Sequence, residues 1–152
     1  MPLIGRAKLN KAIDKAVMNI NDNLIGIYVQ GLRAIITATP VHFKDGGRLK
    51  NSWFLTIGQP STKTRGGNSS GSSSFAEVGK MPDNVLGKKI FFTSNEPHAV
   101  INEYGGYQNP VELGTWTGNA YQKLSAGGYS RQAPNGMARI NIKKMKAKVK
   151  KL

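Results

Sequence analysis

Residues 6–40 organise the fold and read RAKLNKAIDKAVMNINDNLIGIYVQGLRAIITATP. Apolar side chains recur there at steps of three and four residues, which places them on one face of an α-helix. The pattern predicts a long helix over residues 6–38, and Pro40 ends it because proline disfavours helical geometry at the residue before it. The apolar stripe includes Leu9, Ile13, Ala16, Val17, Ile20, Leu24, Ile27, Tyr28, Leu32 and Ile35.

The length of this helix leaves two interpretations open. At 1.5 Å per residue it spans roughly 50 Å, which exceeds the usual width of a body built by a chain of this size. The helix is therefore expected to bend or to project towards a neighbouring subunit. Its stripe fits an amphipathic core helix, and it equally fits a helix that also forms an interface between subunits.

The composition limits the class of protein. The chain has 152 residues, which suits a single domain over 1–152, and its apolar stretches are too short to cross a membrane. It has no cysteine, which excludes disulfides, zinc–thiolate sites and a cysteine nucleophile. The first residues lack the apolar run of a secretory signal. We therefore expect a protein without membrane partners, from a compartment where disulfides are not used.

The charge of the chain is strongly basic and unevenly distributed. The net charge is +14, and residues 131–152 hold eight basic side chains and no acidic one. Such a block is typical of a solvated arm or of a segment that meets an anionic partner, and nucleic acid and an acidic protein surface both fit. The candidate contacts to this partner are Arg139, Lys143, Lys144, Lys146, Lys148, Lys150 and Lys151.

Residues 48–105 predict a β-rich body. Ser52–Ile57 and Lys89–Ser94 are rich in aromatic and β-branched residues, as strands are. Residues 58–74 are rich in Gly and Ser, which predicts a flexible loop at the tip of a long hairpin. Phe75–Val78 then predicts the short return strand.

The remaining segments complete the predicted architecture. His98–Tyr104 predicts one helical turn with Val100 and Tyr104 facing inwards, residues 107–136 are predicted to be irregular, and residues 137–152 predict a basic helix or arm. The fold class is therefore α+β. We expect a long N-terminal helix packed on a small antiparallel β-sheet or sandwich, with a long flexible hairpin loop and a basic C-terminal helix or arm.

Patterns that would carry catalysis or bind a metal are weak. Gly67–Gly71 fits G-x-S-x-G, but a nucleophile elbow needs a strand before it and a helix after it, and this copy lies in the predicted flexible loop. His42 and His98 each have an acid nearby in sequence, Asp45 and Glu103, but a metal site needs three or four ligands at set spacing. Nucleotide-binding glycine motifs are absent. We expect no enzyme activity, no metal and no cofactor.

Nucleic-acid binding is the alternative function. The C-terminal lysines can neutralise phosphates, with the salt dependence that such binding entails. Aromatic residues make up only 8% of the chain and are not interleaved with the lysines, so base stacking has no platform. The alternative is therefore a non-specific DNA-binding accessory protein.

Three separated segments match short motifs that occur together in known proteins. Pro40-Val41 and DGGRLKNSW at residues 45–53 resemble the motif PV-DTGRLR-SW. NEPHAVINEYG at residues 95–105 resembles N-PYA-x-x-x-EYG, and RQAPNGMAR at residues 131–139 resembles KQAPAGMVR. With the three motifs in this order, the chain resembles tailed-phage neck and tail-completion proteins of the lambda minor tail protein Z-like family. This chain departs from the pattern in the inserted His42-Phe43-Lys44, in Gly46 for Thr and in His98 for Tyr.

The resemblance assigns fold or assembly roles to one set of residues. Gly47 and Gly105 stand where unusual backbone angles are expected, and Arg48 and Glu103 are placed to form an ion pair. Trp53 is suited to a core or a subunit contact. The full set is Gly47, Arg48, Leu49, Trp53, Glu103, Tyr104, Gly105, Pro134, Gly136 and Met137.

The resemblance also implies a function. It implies a structural virion protein of the bacteriophage neck, assembled in the host bacterial cytoplasm, that acts in tail completion and head–tail joining. Its partners would be further copies of itself in a ring, expected to be a hexamer, and neighbouring proteins such as the tail terminator and head-completion or connector proteins. Genomic DNA is a further, non-specific candidate partner.

Overall fold

The computed structural model describes residues 3–42, 45–106, 115–116, 121–122 and 128–152. Strands β1 (Phe54–Ile57) and β2 (Ile90–Thr93) pair antiparallel, as do β3 (Thr115–Trp116) and β4 (Tyr121–Gln122). The fold is α+β, with a long N-terminal helix packed on a small two-stranded antiparallel sheet and a C-terminal helix, as the sequence predicts. The elements in chain order are α1 (Leu3–Ala38), α2 (Arg48–Asn51), β1 (Phe54–Ile57), α3 (Ser72–Val78), β2 (Ile90–Thr93), α4 (Ala99–Tyr104), β3 (Thr115–Trp116), β4 (Tyr121–Gln122) and α5 (Ala138–Val149).

The core lies between the second half of α1 and the β1–β2 sheet. Trp53 is buried at its centre, where its ring stacks on Phe92 with 5.0 Å between ring centroids. Its indole Nε1 donates a hydrogen bond to Thr39 Oγ1 at 3.0 Å, so the one polar atom of the ring is satisfied. The other buried core side chains are Leu32, Ile35, Ile36, Leu49, Leu55, Val78 and Met137.

Helix α1 has two halves with different surroundings. Residues 5–20 are all exposed, and burial begins at Asn21. The Asn21 side chain donates to Asp83 O and accepts from Val85 N, both at 2.8 Å, which ties the middle of the helix to the body. The half before Asn21 spans about 27 Å at 1.5 Å per residue and extends past the body. No helix in the described residues is long and apolar enough to span a membrane.

Helix α5 packs on the second half of α1 and runs back along it. A Cβ atom at Gly31 would collide with the Met145 side chain, so the two helices approach closely at this point. Further along, Lys148 Nζ donates to Gln30 Oε1 at 3.0 Å. The prediction of a C-terminal helix is confirmed.

The predicted return strand at Phe75–Val78 is wrong, because these residues belong to helix α3. The partner of β1 is β2 on one side. On the other side Trp53 N donates to Ser74 Oγ at 3.0 Å and Leu55 N donates to Glu77 Oε2 at 3.4 Å. Side chains of a helix thus take the hydrogen bonds that a further strand would have taken.

The loop over residues 58–74, predicted to be flexible, contacts the body near its middle, and its last residues, 72–74, belong to helix α3. Arg65 Nη1 donates to the carbonyls of Asn51 and Trp53, and its Nη2 is paired with Glu77. The Arg65 guanidinium also lies 4.1 Å from the centre of the Phe54 ring. Burial raises the pKa of Glu77, but hydrogen bonds from Lys80 and Arg65 outweigh it and lower that pKa.

The predicted helical turn near residue 100 is present as α4, but its inward face is not the predicted one. Val100 and Tyr104 are exposed, whereas Asn102 and Glu103 are buried. The reason is that Glu103 binds the start of α5, which turns α4 so that its polar side faces the body. Of the segment 107–136, predicted to be irregular, residues 107–114, 117–120 and 123–127 lie outside the described residues. The prediction is wrong at Thr115–Trp116 and Tyr121–Gln122, which pair as the short strands β3 and β4.

Candidate assembly site

The three segments quoted above for their sequence motifs (residues 40–41 with 45–53, 95–105 and 131–139) meet at one place, called here the motif junction. The first and third segments are joined by Gln132, whose side-chain amide pairs with both backbone groups of Val41. Gln132 Nε2 donates to Val41 O at 3.0 Å, and Val41 N donates to Gln132 Oε1 at 2.8 Å. This pairing imitates a strand contact between residues that lie 91 positions apart.

The second and third segments are joined by Glu103. Its Oε2 accepts hydrogen bonds from the backbone N–H groups of Met137 and Ala138, at 2.9 and 2.7 Å. Its Oε1 accepts from the backbone and side chain of Arg139, at 2.7 and 3.1 Å. The first N–H groups of a helix have no partner within the helix and carry partial positive charge. A carboxylate from another element therefore caps α5.

The Glu103 carboxylate is held in its charged form. Burial raises the pKa of this group, but hydrogen bonds from the backbone of Ala138, Arg139 and Met137, with that of the Arg139 side chain, outweigh the burial. The net effect lowers the pKa of Glu103 from its ordinary value of 4.5. The cap is thus a charge-assisted interaction, stronger than a neutral hydrogen bond.

Steric contacts explain why glycine occupies two positions of the motif junction. Gly136 has φ of 80°, and a Cβ atom there would lie 2.5 Å from the Glu103 carbonyl oxygen. Gly47 also has φ of 80°, and its Cβ would lie 2.6 Å from the Cα of Ser69. Any larger residue would push Glu103 away from α5 or push the loop away from α2. The positive φ of Gly105, at 71°, likewise agrees with the sequence prediction.

The predicted ion pair between Arg48 and Glu103 is wrong. Arg48 Nε instead lies 3.1 Å from Oε2 of Glu96, whose side chain is 1% exposed. Glu103 has its oxygens occupied by α5 and Arg139, so it has no capacity left for Arg48. Glu96 is a residue that sequence reasoning missed. Its only signal was an acidic residue inside the second motif segment, beside Pro97.

The two histidines lie together with Asp45 in an open cleft of about 230 Å³. His98 Nε2 is 3.5 Å from Asp45 Oδ2, and His42 Nδ1 is 3.9 Å from the same oxygen. His98 therefore faces Asp45 rather than Glu103, the acid that the sequence analysis named beside it. Within the described ranges, no group of three or more acidic or histidine side chains is arranged to hold a metal ion.

The other predicted assembly residues divide between core and surface. Leu49, Trp53 and Met137 are buried, so they stabilise the fold. Pro134 is exposed beside Gly136, and Tyr104 is exposed with its ring centre 4.6 Å from the Arg139 guanidinium. The motif residues thus mainly hold the junction together.

The basic residues predicted to contact an anionic partner are of two kinds. Arg139 binds Glu103 through its side chain and through the carbonyl contact of Nη2 at 2.7 Å, so its guanidinium belongs to the motif junction. The lysines of α5 and its end are exposed, and in the described part of the chain none of them has a carboxylate partner. They are Lys143, Lys144, Lys146, Lys148, Lys150 and Lys151.

Comparison of the chain with protein-family models, with curated proteins and with solved structures finds no match.

Proposed function

We propose that this protein is a structural component of the tailed-phage neck that acts in tail completion and head–tail joining, as a ring of its own copies. The observation that supports this proposal is the motif junction. The residues that carry the resemblance bind one another across the chain, Gln132 with Val41 and Glu103 with Met137. The resemblance therefore rests on residues that act together, and not on three unrelated short strings.

The chemistry of the junction favours assembly over catalysis. The polar groups of Glu103 and Gln132 are used to hold backbone N–H and carbonyl groups. A catalytic carboxylate would instead need a free oxygen aimed at a substrate. Among the described residues, the exposed half of α1 before Asn21 and the exposed lysines of α5 offer surfaces to partners. Those partners are further copies, the tail terminator and head-completion proteins of the virion, with assembly in the bacterial cytoplasm.

Electron microscopy of a phage lysate tests this function. The phage should carry an early stop codon in this gene, with the same phage complemented in trans as the control. Separate filled heads and finished tails are the expected result, with joined particles restored by complementation. Joined, infectious particles in the absence of the protein would refute the proposal.

One specific observation favours a second candidate function, non-specific binding of duplex DNA. The lysines of α5 are exposed on one short helix, with no carboxylate partner among the residues that the structure describes, so they can contact phosphates. Binding should be independent of DNA sequence and should weaken steeply with salt. The variant Lys143→Gln/Lys144→Gln/Lys146→Gln should reduce both the affinity and its salt dependence, with Lys8→Gln/Lys11→Gln/Lys15→Gln on α1 as the matched control.

A further inference from the structure

The half of α1 before Asn21 carries an apolar row that the described part of the chain leaves exposed. The row consists of Leu9, Ile13, Val17 and Ile20, which are between 45% and 60% exposed. Steps of three and four residues place these side chains on one side of the helix. A continuous exposed apolar surface of this kind marks a place where another molecule binds.

The apolar row continues the face of α1 on which α5 packs. Gly31 contacts α5, since a Cβ atom there would collide with the Met145 side chain. Ile13 lies 18 residues before Gly31, which is about five complete turns, so the two residues face the same side of α1. The last turn of α5 reaches Gln30 through Lys148, and the face continues beyond it without a covering helix in the described residues. Within this molecule, the face already accepts a helix.

An apolar groove of about 300 Å³ opens beside the same helix. Tyr28 and Leu32 form its α1 side, and the other walls come from the segment before β2, from β2 and from α5. These walls include two methionines, whose flexible side chains adapt to the shape of an apolar partner. A helix that lies along the apolar row can therefore insert side chains into the groove. The other apolar lining residues are Met81, Val85, Ile90, Phe92 and Met145.

The charged groups that border this surface are mainly basic. Lys88 lies exposed at the groove, and Arg6 lies on the side of the apolar row about two turns before Ile13. The acids nearby in sequence are Asp14 and Asp83. The end of α5 points towards the exposed half of α1 and adds lysines that have no carboxylate partner in the part of the chain that the structure describes, namely Lys148, Lys150 and Lys151. The border therefore complements an acidic molecule.

We propose that the apolar row and the groove bind an amphipathic α-helix of a partner protein, apolar on one side and acidic along its flanks. A helix of about 18 residues spans the roughly 28 Å from Leu9 to Tyr28. It packs side by side with α1, as α5 does further along, and its apolar side chains enter the groove. Its carboxylates meet Lys88 and the lysines at the end of α5.

Other occupants match this surface less well. A second copy of the chain carries the same net charge of +14, so it does not supply the acidic flanks. Duplex DNA meets the basic groups but leaves the apolar row in water. A helix that lies on a lipid bilayer has its lysines beside the apolar face, whereas Lys11 and Lys15 lie on the side of α1 opposite to Ile13.

Fluorescence anisotropy with the purified full chain and three synthetic peptides tests this inference. The first peptide, of about 18 residues, carries leucine on one helical face and glutamate beside it. The second has lysine in place of glutamate, and the third has serine in place of leucine. The first peptide should bind at least about tenfold more tightly than either of the others, because only this peptide matches both the apolar row and the basic border.

Variants of exposed residues locate the binding site. Ile13→Gln and Lys88→Glu should each weaken the binding of the first peptide about tenfold. Their controls are Met18→Gln and Lys11→Glu, which make changes of the same kind at exposed positions on other sides of α1 and should leave the binding unchanged. All four sites are exposed, so circular dichroism should report an intact fold for each variant.

Three results would overturn the inference. The first is that the glutamate peptide does not bind, binds no better than the lysine peptide, or binds equally well to Ile13→Gln. The second is a dimer of the chain alone that Ile13→Gln dissociates, which would assign the face to another copy. The third is binding to vesicles of anionic lipid that Ile13→Gln abolishes, which would assign the face to a membrane surface. The inference does not rest on the proposed phage function, because it concerns the purified chain and the lysate experiment does not.

Discussion

The carboxylate of Glu103 accepts a hydrogen bond at 2.9 Å from the backbone N–H of Met137, which lies 34 residues further along the chain. Through this contact α4 supplies the N-terminal cap of α5. The position of the basic C-terminal helix on α1 therefore depends on a buried acidic side chain from the middle of the chain. This relationship makes Glu103 the most informative site for mutation.

Replacing Glu103 should destabilise the protein strongly. Glu103→Ala leaves the N–H groups of Met137 and Ala138 and Nε of Arg139 without their acceptor, and should lower the free energy of unfolding by about 1–3 kcal/mol. Glu103→Gln keeps one acceptor oxygen and should cost less. Urea unfolding measures both. Asp14→Asn, on the exposed half of α1, is the control and should change stability by less than about 0.5 kcal/mol.

Stability should fall in acid because of Glu103 and Glu77. Both have their pKa lowered below 4.5 in the folded state. As the pH falls below 4.5, the unfolded chain therefore binds protons at these groups before the folded chain does, and the free energy of unfolding decreases until the pH has passed the folded values. Urea unfolding at a series of pH values below 4.5 measures this decrease in the free energy of unfolding. Glu103→Gln should show a shallower pH dependence; an unchanged slope would contradict the role given to this carboxylate.

Gly136→Ala should separate steric collision from backbone strain. The new Cβ would lie 2.5 Å from the Glu103 carbonyl oxygen, and the alanine would have to adopt the positive φ of residue 136. The loss in free energy of unfolding should therefore exceed about 2 kcal/mol. Gly58→Ala is the matched control, since Gly58 has φ of 85° but open space around it. Its cost should be limited to about 1 kcal/mol of strain. Equal costs in thermal or urea unfolding would argue against the close contact with Glu103.

A double-mutant cycle should assign the partner of Arg48. Arg48→Ala and Glu96→Gln should be coupled by about 1 kcal/mol, reduced from the value for a buried pair because the Arg48 side chain is 48% exposed. Arg48→Ala and Glu103→Gln should be additive within about 0.5 kcal/mol. Coupling to Glu103 in place of Glu96 would reverse the assignment made from the structure.

The elements that could be predicted from the amino-acid sequence are those with a local residue pattern. Helix α1 follows from apolar residues at helical spacing, and β1 and β2 follow from β-branched and aromatic runs. The helical turn at α4 and the helix α5 were also predictable. These patterns depend on neighbours within about four residues, which act on the chain before any distant contact forms. The motif residues of the junction could likewise be identified, since each motif is a short continuous string.

The contacts between residues that are distant in sequence could be identified only from the folded structure. Arg48 pairs with Glu96 because α5 occupies Glu103, and His98 faces Asp45 because α4 and the 45–47 turn are neighbours only in space. Helix α3 likewise replaces the predicted strand, since its side chains satisfy the free edge of β1. The pairing of a carboxylate depends on the competition among all donors that folding brings near it, and local spacing carries no information about donors tens of residues away.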